Sequence, residues 1–241
     1  MSGHSKWSTI KRKKGANDAK KGAIFTRISK DITIAAREGG SDPDMNSALR
    51  LAVKKAKLSN MPSANIDRAI KKGTGELEGV NYESYLYEGY GPNGVAIMME
   101  IMTDNKNRTI PDLRHIMSKN GGNLGESGCV NWIFEKKGII TIEKKIISED
   151  TLLDYCLKFN IEDINSDDDT VYEIQVNPDS FDSFCSYLES KEYLIEAELS
   201  LQPQNTVKIK QSESSQTINL LTLLEDHEDV QKVYTNLEIE K

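Results

Sequence analysis

From Asn17 onward, apolar residues recur at helical spacing. Ile24, Ile28, Ile32 and Ala35 share one face of a helix, with Phe25 and Ala36 flanking it. Arg27, Lys30 and Arg37 are predicted to point the other way, and the Gly39-Gly40 pair to end the helix. A second helix is predicted to open at Asp42 as N-cap with Pro43 in its first position. Its apolar stripe reads Met45, Ala48, Ala52 and Ala56, while Arg50, Lys54 and Lys57 occupy the opposite side. A third, from Pro62 to Lys72, turns Ile66, Ala69 and Ile70 inward and stops at Gly73. Short amphipathic helices with small-residue seams predict a compact bundle with basic outer faces. Residues 1–16 lack this periodicity and read as a flexible basic arm.

The Gly-rich stretch Gly73 to Asn81 predicts a domain boundary, and after it the period changes to two. Strands are predicted at Tyr82 to Glu88 and Val95 to Thr103 around the turn Gly89 to Gly94, followed by a helix at Thr109 to Lys119. Beyond a glycine loop come strands at Val130 to Phe134 and Ile139 to Glu143, then a helix near Glu149 to Phe159. A strand at Thr170 to Val176, a helix at Pro178 to Ser190 capped by Asn177, and a strand at Tyr193 to Leu199 follow. The chain closes with a strand at Thr206 to Ile209, a helix at Ser214 to Leu224 and a strand at Val230 to Leu237. Short strands and helices in connected units, without long parallel crossovers, predict an α+β fold of the split-βαβ kind behind the helical module. The acidic tract Ser166 to Asp169 reads as a surface loop.

Charge changes this picture most. Through Gly75 there are seventeen Lys and Arg against six Asp and Glu, a net of +11. The rest carries fourteen basic and thirty-two acidic residues, a net of −18, which the whole-chain value of −7 conceals. A basic excess sustained over some seventy residues points to a polyanionic partner, namely nucleic acid. The candidate contacts are Lys6, Trp7, Lys11, Arg12, Lys13, Lys14, Lys20, Lys21, Arg27, Lys30, Arg50, Lys54 and Lys57. Trp7, an aromatic among lysines, either stacks on a base or pins the arm to the helices behind it. In the acidic remainder the stretch Thr103 to Thr109 (TDNKNRT) is locally basic. Lys106, Arg108 and Arg114 are therefore a candidate second phosphate contact, with helix capping by Asp104, Asn105 and Asn107 as the competing account.

Length and composition bound the rest. At 241 residues the chain has room for two or three small domains with real cores. No apolar run approaches the ~18 residues of a membrane span, and the charged amino terminus carries no apolar leader, so a cytoplasmic protein without membrane contact is expected. Cys129, Cys156 and Cys185, odd in number and widely spaced, suit reduced thiols. His4, His115 and His227 have no metal-ligand spacing, and no nucleophile elbow is present. The expectation is a protein that is not an enzyme and needs no cofactor or metal. The loop Gly121 to Gly128 (GGNLGESG) places its glycines after a helix and before a strand, the reverse of a phosphate-binding loop, and no Gly-Lys-Ser/Thr follows. A structural turn is favoured there.

Seven stretches together resemble the YebC/PmpR family: MSGHSKW at the start, AAREGG from Ala35, NMPSANIDRAIKKGTG from Asn60, LYEGYGPNGVA from Leu86, TDNKNRT, GGNLGESGCV and LEDHEDVQKVY from Leu224. They span nearly the whole chain in order. The departures are Cys129, where a smaller residue is usual, and His227-Glu228 in place of a more acidic pair. The resemblance implies a helical domain with its arm at residues 1–78, an α+β domain at 79–136 that resumes at 202–241, and a ferredoxin-like domain inserted at 137–201. It also implies a DNA-binding transcriptional regulator without catalytic residues. Because a mitochondrial relative is described as a translational activator, contact with ribosomal RNA stands as the alternative. Oligomeric state is left open by both.

Overall fold

The computed structural model describes residues 18–78, 81–159, 161 and 163–240. Helix α1 (Asp18–Gly39), α2 (Ser47–Leu58) and α3 (Ser63–Gly73) form the basic module. Ile28, Ile32, Ala35 and Ala36 of α1 close on Leu49, Ala52 and Ala56 of α2 and on Ile66 and Ala69 of α3. The stripe of α2 differs from expectation. Met45 is 85% exposed and Ala48 faces solvent, while Leu49 takes the inward position.

The cause is the cap. Asp42 shapes only a turn, accepting from the amide of Asp44 at 2.9 Å. Asn46 starts α2 instead, its Oδ1 accepting from the Leu49 amide at 3.0 Å. Its Nδ2 donates to the carbonyls of Ala35 at 2.7 Å and Gly40 at 3.0 Å. One buried amide side chain thus begins α2 and ties it to two carbonyls at the end of α1.

Strands β1 (Glu83–Tyr90) and β2 (Ala96–Thr103), helix α4 (Lys106–Lys119) and the two-residue β3 (Asn123–Leu124) begin the second body. Helix α7 (Ser215–Asp226) and β9 (Val230–Thr235) complete it from the far end of the chain, giving a sheet ordered β3-β1-β2-β9. The run AIMMEIMT of β2 is buried on both sides except at Glu100. On one face Ile97, Met99 and Ile101 pack against Leu113 and Met117 of α4 and Leu220, Leu221 and Leu224 of α7. On the other, Ala96, Met98 and Tyr234 meet Val130, Ile133 and Phe134.

The expected final strand is two. Asn236 interrupts it, its Oδ1 accepting from the Ala96 amide and its carbonyl from the Val207 amide, each at 2.8 Å. Beyond it β10 (Leu237–Glu240) leaves the sheet and pairs in parallel with β8 (Val207–Lys210).

The third body is β4 (Phe134–Glu143), α5 (Glu149–Lys158), β5 (Asp163–Asn165), β6 (Val171–Val176), α6 (Pro178–Ser190) and β7 (Ile195–Pro203). The strands lie in the order β5-β6-β4-β7, every neighbour antiparallel, which is the split-βαβ, ferredoxin-like arrangement. Ile140, Ile142, Ile174 and Val176 face Leu152 of α5 and Phe181, Phe184 and Leu188 of α6. Each such side chain removed from water contributes about 1.5–3 kcal/mol. The architecture is α+β with an N-terminal helical module, and among the described residues no helix is long and apolar enough to cross a membrane.

Candidate nucleic-acid interface

The structure sorts the sequence-derived cations into three groups. Lys6, Trp7, Lys11, Arg12, Lys13 and Lys14, with the side chains of Lys20 and Lys21, lie outside the described residues. Arg50, Lys54 and Lys57 stand on the outer face of α2, all exposed. With Pro43, Asp44, Val53 and Leu58 they line a shallow depression of about 490 Å³. Lys54 also reaches Glu189 of α6, both half in solvent, so this cation is shared between the module and the third body. The outer face of α3 adds Arg68, Lys71 and Lys72, all exposed. Their spacing of three and four residues is the signal that marked α2, and the sequence reading left them out.

Arg27, Lys30 and Arg108 form the third group, and here the expectation is corrected. Lys30 is 5% exposed. Its Nζ donates to Asp229 Oδ1 at 2.9 Å and to the carbonyls of Met102 at 3.1 Å and Glu228 at 2.9 Å. Arg27 is half-buried, its Nη2 donating to the carbonyl of His227 at 3.5 Å. The face of α1 that reads as outward is pressed on the second body, and Arg37 at its end donates to Asn81 and to the carbonyl of Tyr82.

Arg108 donates through Nη2 to Asp229 Oδ2 and to Asp104 Oδ1, each at 3.0 Å. Asn105 caps α4 by accepting from the Arg108 amide at 3.2 Å. Lys106 lies 4.4 Å over the ring of Tyr85. Within the candidate second contact, Lys106 and Arg114 are exposed and form no ion pair among the described residues. Of the capping account, Asn105 is the residue that caps α4.

Asp229 is the hub of this arrangement. Its carboxylate also accepts from Thr109 Oγ1 at 2.7 Å and Thr103 Oγ1 at 3.3 Å. Burial would raise its pKa, but the hydrogen bonds from Lys30, Thr109 and Arg108 outweigh burial and hold it at about 2. The ion pair joins α1 to the turn before β9, and its carboxylate is ionised throughout the physiological range.

The glycine loop has an internal anion. Glu88 of β1, 5% exposed, accepts from the amides of Gly128 at 2.7 Å, Val130 at 2.7 Å and Asn131 at 2.8 Å. Burial pushes its carboxyl up, and the three amides more than reverse this, leaving it below the usual carboxylate range. The amides that a phosphate would need are turned onto Glu88, and they bend residues 131–133 into a 3₁₀ turn where a strand was expected. The side chains of Cys156 and Cys185 are pushed up by burial to about 11 and about 12, which suppresses thiolate chemistry at both.

Comparison with known proteins covers nearly the whole chain. Residues 5–76 match the TACO1/YebC protein N-terminal domain, and residues 82–237 match the TACO1/YebC second and third domain. A "probable transcriptional regulatory protein" of Desulfotalea psychrophila is 52% identical over 243 residues, covering 100% of this chain and 97% of the relative. One of Desulforapulum autotrophicum, with the same descriptive name, is 53% identical over 240 residues, covering 99% and 97%. The crystal structure of a conserved hypothetical protein from Aquifex aeolicus superposes with a TM-score of 0.85 at 42% identity, covering 93% of each chain.

Proposed function

The chain belongs to the TACO1/YebC family, and on that premise we propose that it is a cytoplasmic nucleic-acid-binding regulator, most directly a DNA-binding transcriptional regulator. It grips phosphates through its basic arm and the outer faces of α2 and α3, and it acts by binding, without turnover of its own. The observation that carries this reading is the +11 charge of residues 1–75 against −18 beyond them. Once the cations paired to acids are set aside, Arg50 and Lys57 remain on one exposed face, beside Lys54, which is shared with Glu189. The names carried by the relatives support a regulatory role.

A second reading, contact with ribosomal RNA, rests on a specific feature of α2. Its outer face offers Arg50, Lys54 and Lys57 beside exposed Leu51 and Leu58, with no amide or carboxylate side chain to read a base edge. Contacts to phosphates position a protein on a backbone and do not specify a sequence, which suits a shaped RNA as well as a duplex.

The test is salt dependence. Replacing Lys11, Arg12, Lys13 and Lys14 with Gln, or Arg50 and Lys57 with Gln, is expected to weaken binding to duplex DNA and to ribosomal RNA in filter or anisotropy titrations. The log–log salt slope should flatten by about 0.9 per lost duplex contact and about 0.7 per single-stranded one. Unchanged slopes in both variants would remove the basic module from the interface.

A further inference from the structure

The outer face of α2 is concave as well as basic, and a grip on phosphates alone has no use for the apolar side chains exposed there. Arg50, Val53, Lys54, Lys57 and Leu58 follow one another at helical spacing, and the turn at Pro43 and Asp44 walls one side of the depression of about 490 Å³. That wall is built into the fold. Asp42 Oδ1 accepts from the Asp44 amide at 2.9 Å, and the Asp42 carbonyl accepts from the Met45 amide at 3.2 Å. Asn46, the next residue, ties the turn to the end of α1. Leu58 is 60% exposed and takes no part in the core of the module, where Leu49, Ala52 and Ala56 of α2 do the packing.

Charge and shape together select the occupant. Arg50 and Lys57 form no ion pair among the described residues, whereas Lys54 is shared with Glu189 and Asp44 places one exposed carboxylate at the rim. The two cations stand two turns apart, about 10 Å along the helix axis, on either side of Val53. A duplex keeps its bases stacked inside and has nothing to lay on an apolar floor. An unstacked base covers that floor and brings its phosphates to the cations around it. We propose that this depression seats one splayed nucleotide of a single-stranded or looped nucleic acid. The base lies on Val53 and Leu58, the Arg50 guanidinium stacks on its plane, and Lys57 meets the adjoining phosphate. The inference rests on the reading of the basic module as the nucleic-acid interface, and it names the form of nucleic acid that this interface takes.

Fluorescein-labelled oligothymidine, oligouridine and a duplex of equal length, titrated against the full chain with anisotropy as readout, test this. Leu58→Ser is expected to lower the ratio of single-strand to duplex affinity about three- to ten-fold. Arg50→Lys keeps the charge and removes the stacking plane, so the same ratio should fall while the salt slope holds. A fall confined to oligouridine assigns the seat to RNA, and one confined to oligothymidine assigns it to DNA. Unchanged ratios in both variants would overturn the proposal. A salt slope that Arg50→Gln/Lys57→Gln still flattens would then leave α2 as a grip on phosphates only. Unchanged slopes in that charge pair would overturn the proposal together with the reading on which it rests.

Discussion

At the scale of single residues, the decisive contrast is between two cations that read alike in the sequence. Lys30 and Arg50 both interrupt amphipathic helices, yet Lys30 is sealed against Asp229 and Arg50 stands in solvent. Lys30 was legible as charged and helical. Its partner lies almost two hundred positions away and carries no local signal. The same holds for Glu88, whose ladder position in β1 gives no hint that it nucleates the turn at residues 128–131.

The Asp229 carboxyl is depressed from 3.8 to about 2. A depressed acid contributes stability that is fully present above its unfolded pKa and is lost as pH falls through the folded value. At 1.36 kcal/mol per unit this amounts to about 2 kcal/mol, lost between about pH 4 and pH 2. Asp229→Asn strands the Lys30 ammonium and is expected to cost about 3–5 kcal/mol at neutral pH. Urea midpoints from pH 6 to pH 2 check both, because the gap between wild type and variant must narrow toward pH 2. A constant gap would show that Asp229 is not the titrating group.

At the scale of elements, pattern reading recovered the seven described α-helices and most strands, missed the short β3 and β5, set a strand where residues 131–133 form a 3₁₀ turn, and misplaced boundaries where a tertiary contact moved them. Asn46 displaced Asp42 as the cap of α2, because only Asn46 can reach the end of α1 as well as its own helix. Asn236 split the last strand, because its side chain reaches the backbone of β2. Both Asp42 and Asn46 satisfy the local rule for a cap, so propensity could not separate them. The α1–α3 crossing depends on the absence of a side chain at Gly73. A Cβ there would lie 2.3 Å from the Thr33 carbonyl oxygen and 2.8 Å from the Ala36 side chain. Gly73→Ala should gain up to about 1 kcal/mol of helix propensity. It should lose about 1–3 kcal/mol through overpacking against backbone that cannot yield. Net destabilisation, read as a lower thermal midpoint, is the expected outcome, and a higher midpoint would show that the crossing can open.

At the scale of the whole molecule, three bodies are joined by ion pairs as well as by packing. Lys30–Asp229 ties α1 to the turn before β9, Lys54–Glu189 ties α2 to α6, and Lys232–Glu198 ties β9 to β7. The buried first pair is the strong one. Lys54–Glu189 is half in solvent and contributes about 0–1 kcal/mol, while Lys232–Glu198 is half-buried on its lysine side. This geometry leaves the basic face of α2 turned outward and the acidic bodies behind it, so one molecule presents opposite charges on different faces. Fractionation of a native lysate separates the two functional readings. Co-sedimentation with ribosomal particles that RNase abolishes is the outcome expected for the RNA reading. Retention on DNA that DNase releases, with no ribosomal fraction, is the outcome expected for the transcriptional one.

The sequence by itself determined the secondary-structure content, the change from helical to strand periodicity at the glycines after Gly73, the opposite charges of the two halves and the family. These are properties of local spacing, composition and motif order, all written along the chain. Tertiary structure alone decided which cations remain outward, which residue caps α2, what fills the glycine loop and where the final strand divides. Each of those depends on a partner dozens to hundreds of residues away, and a buried charge is indistinguishable in sequence from an exposed one until its partner arrives.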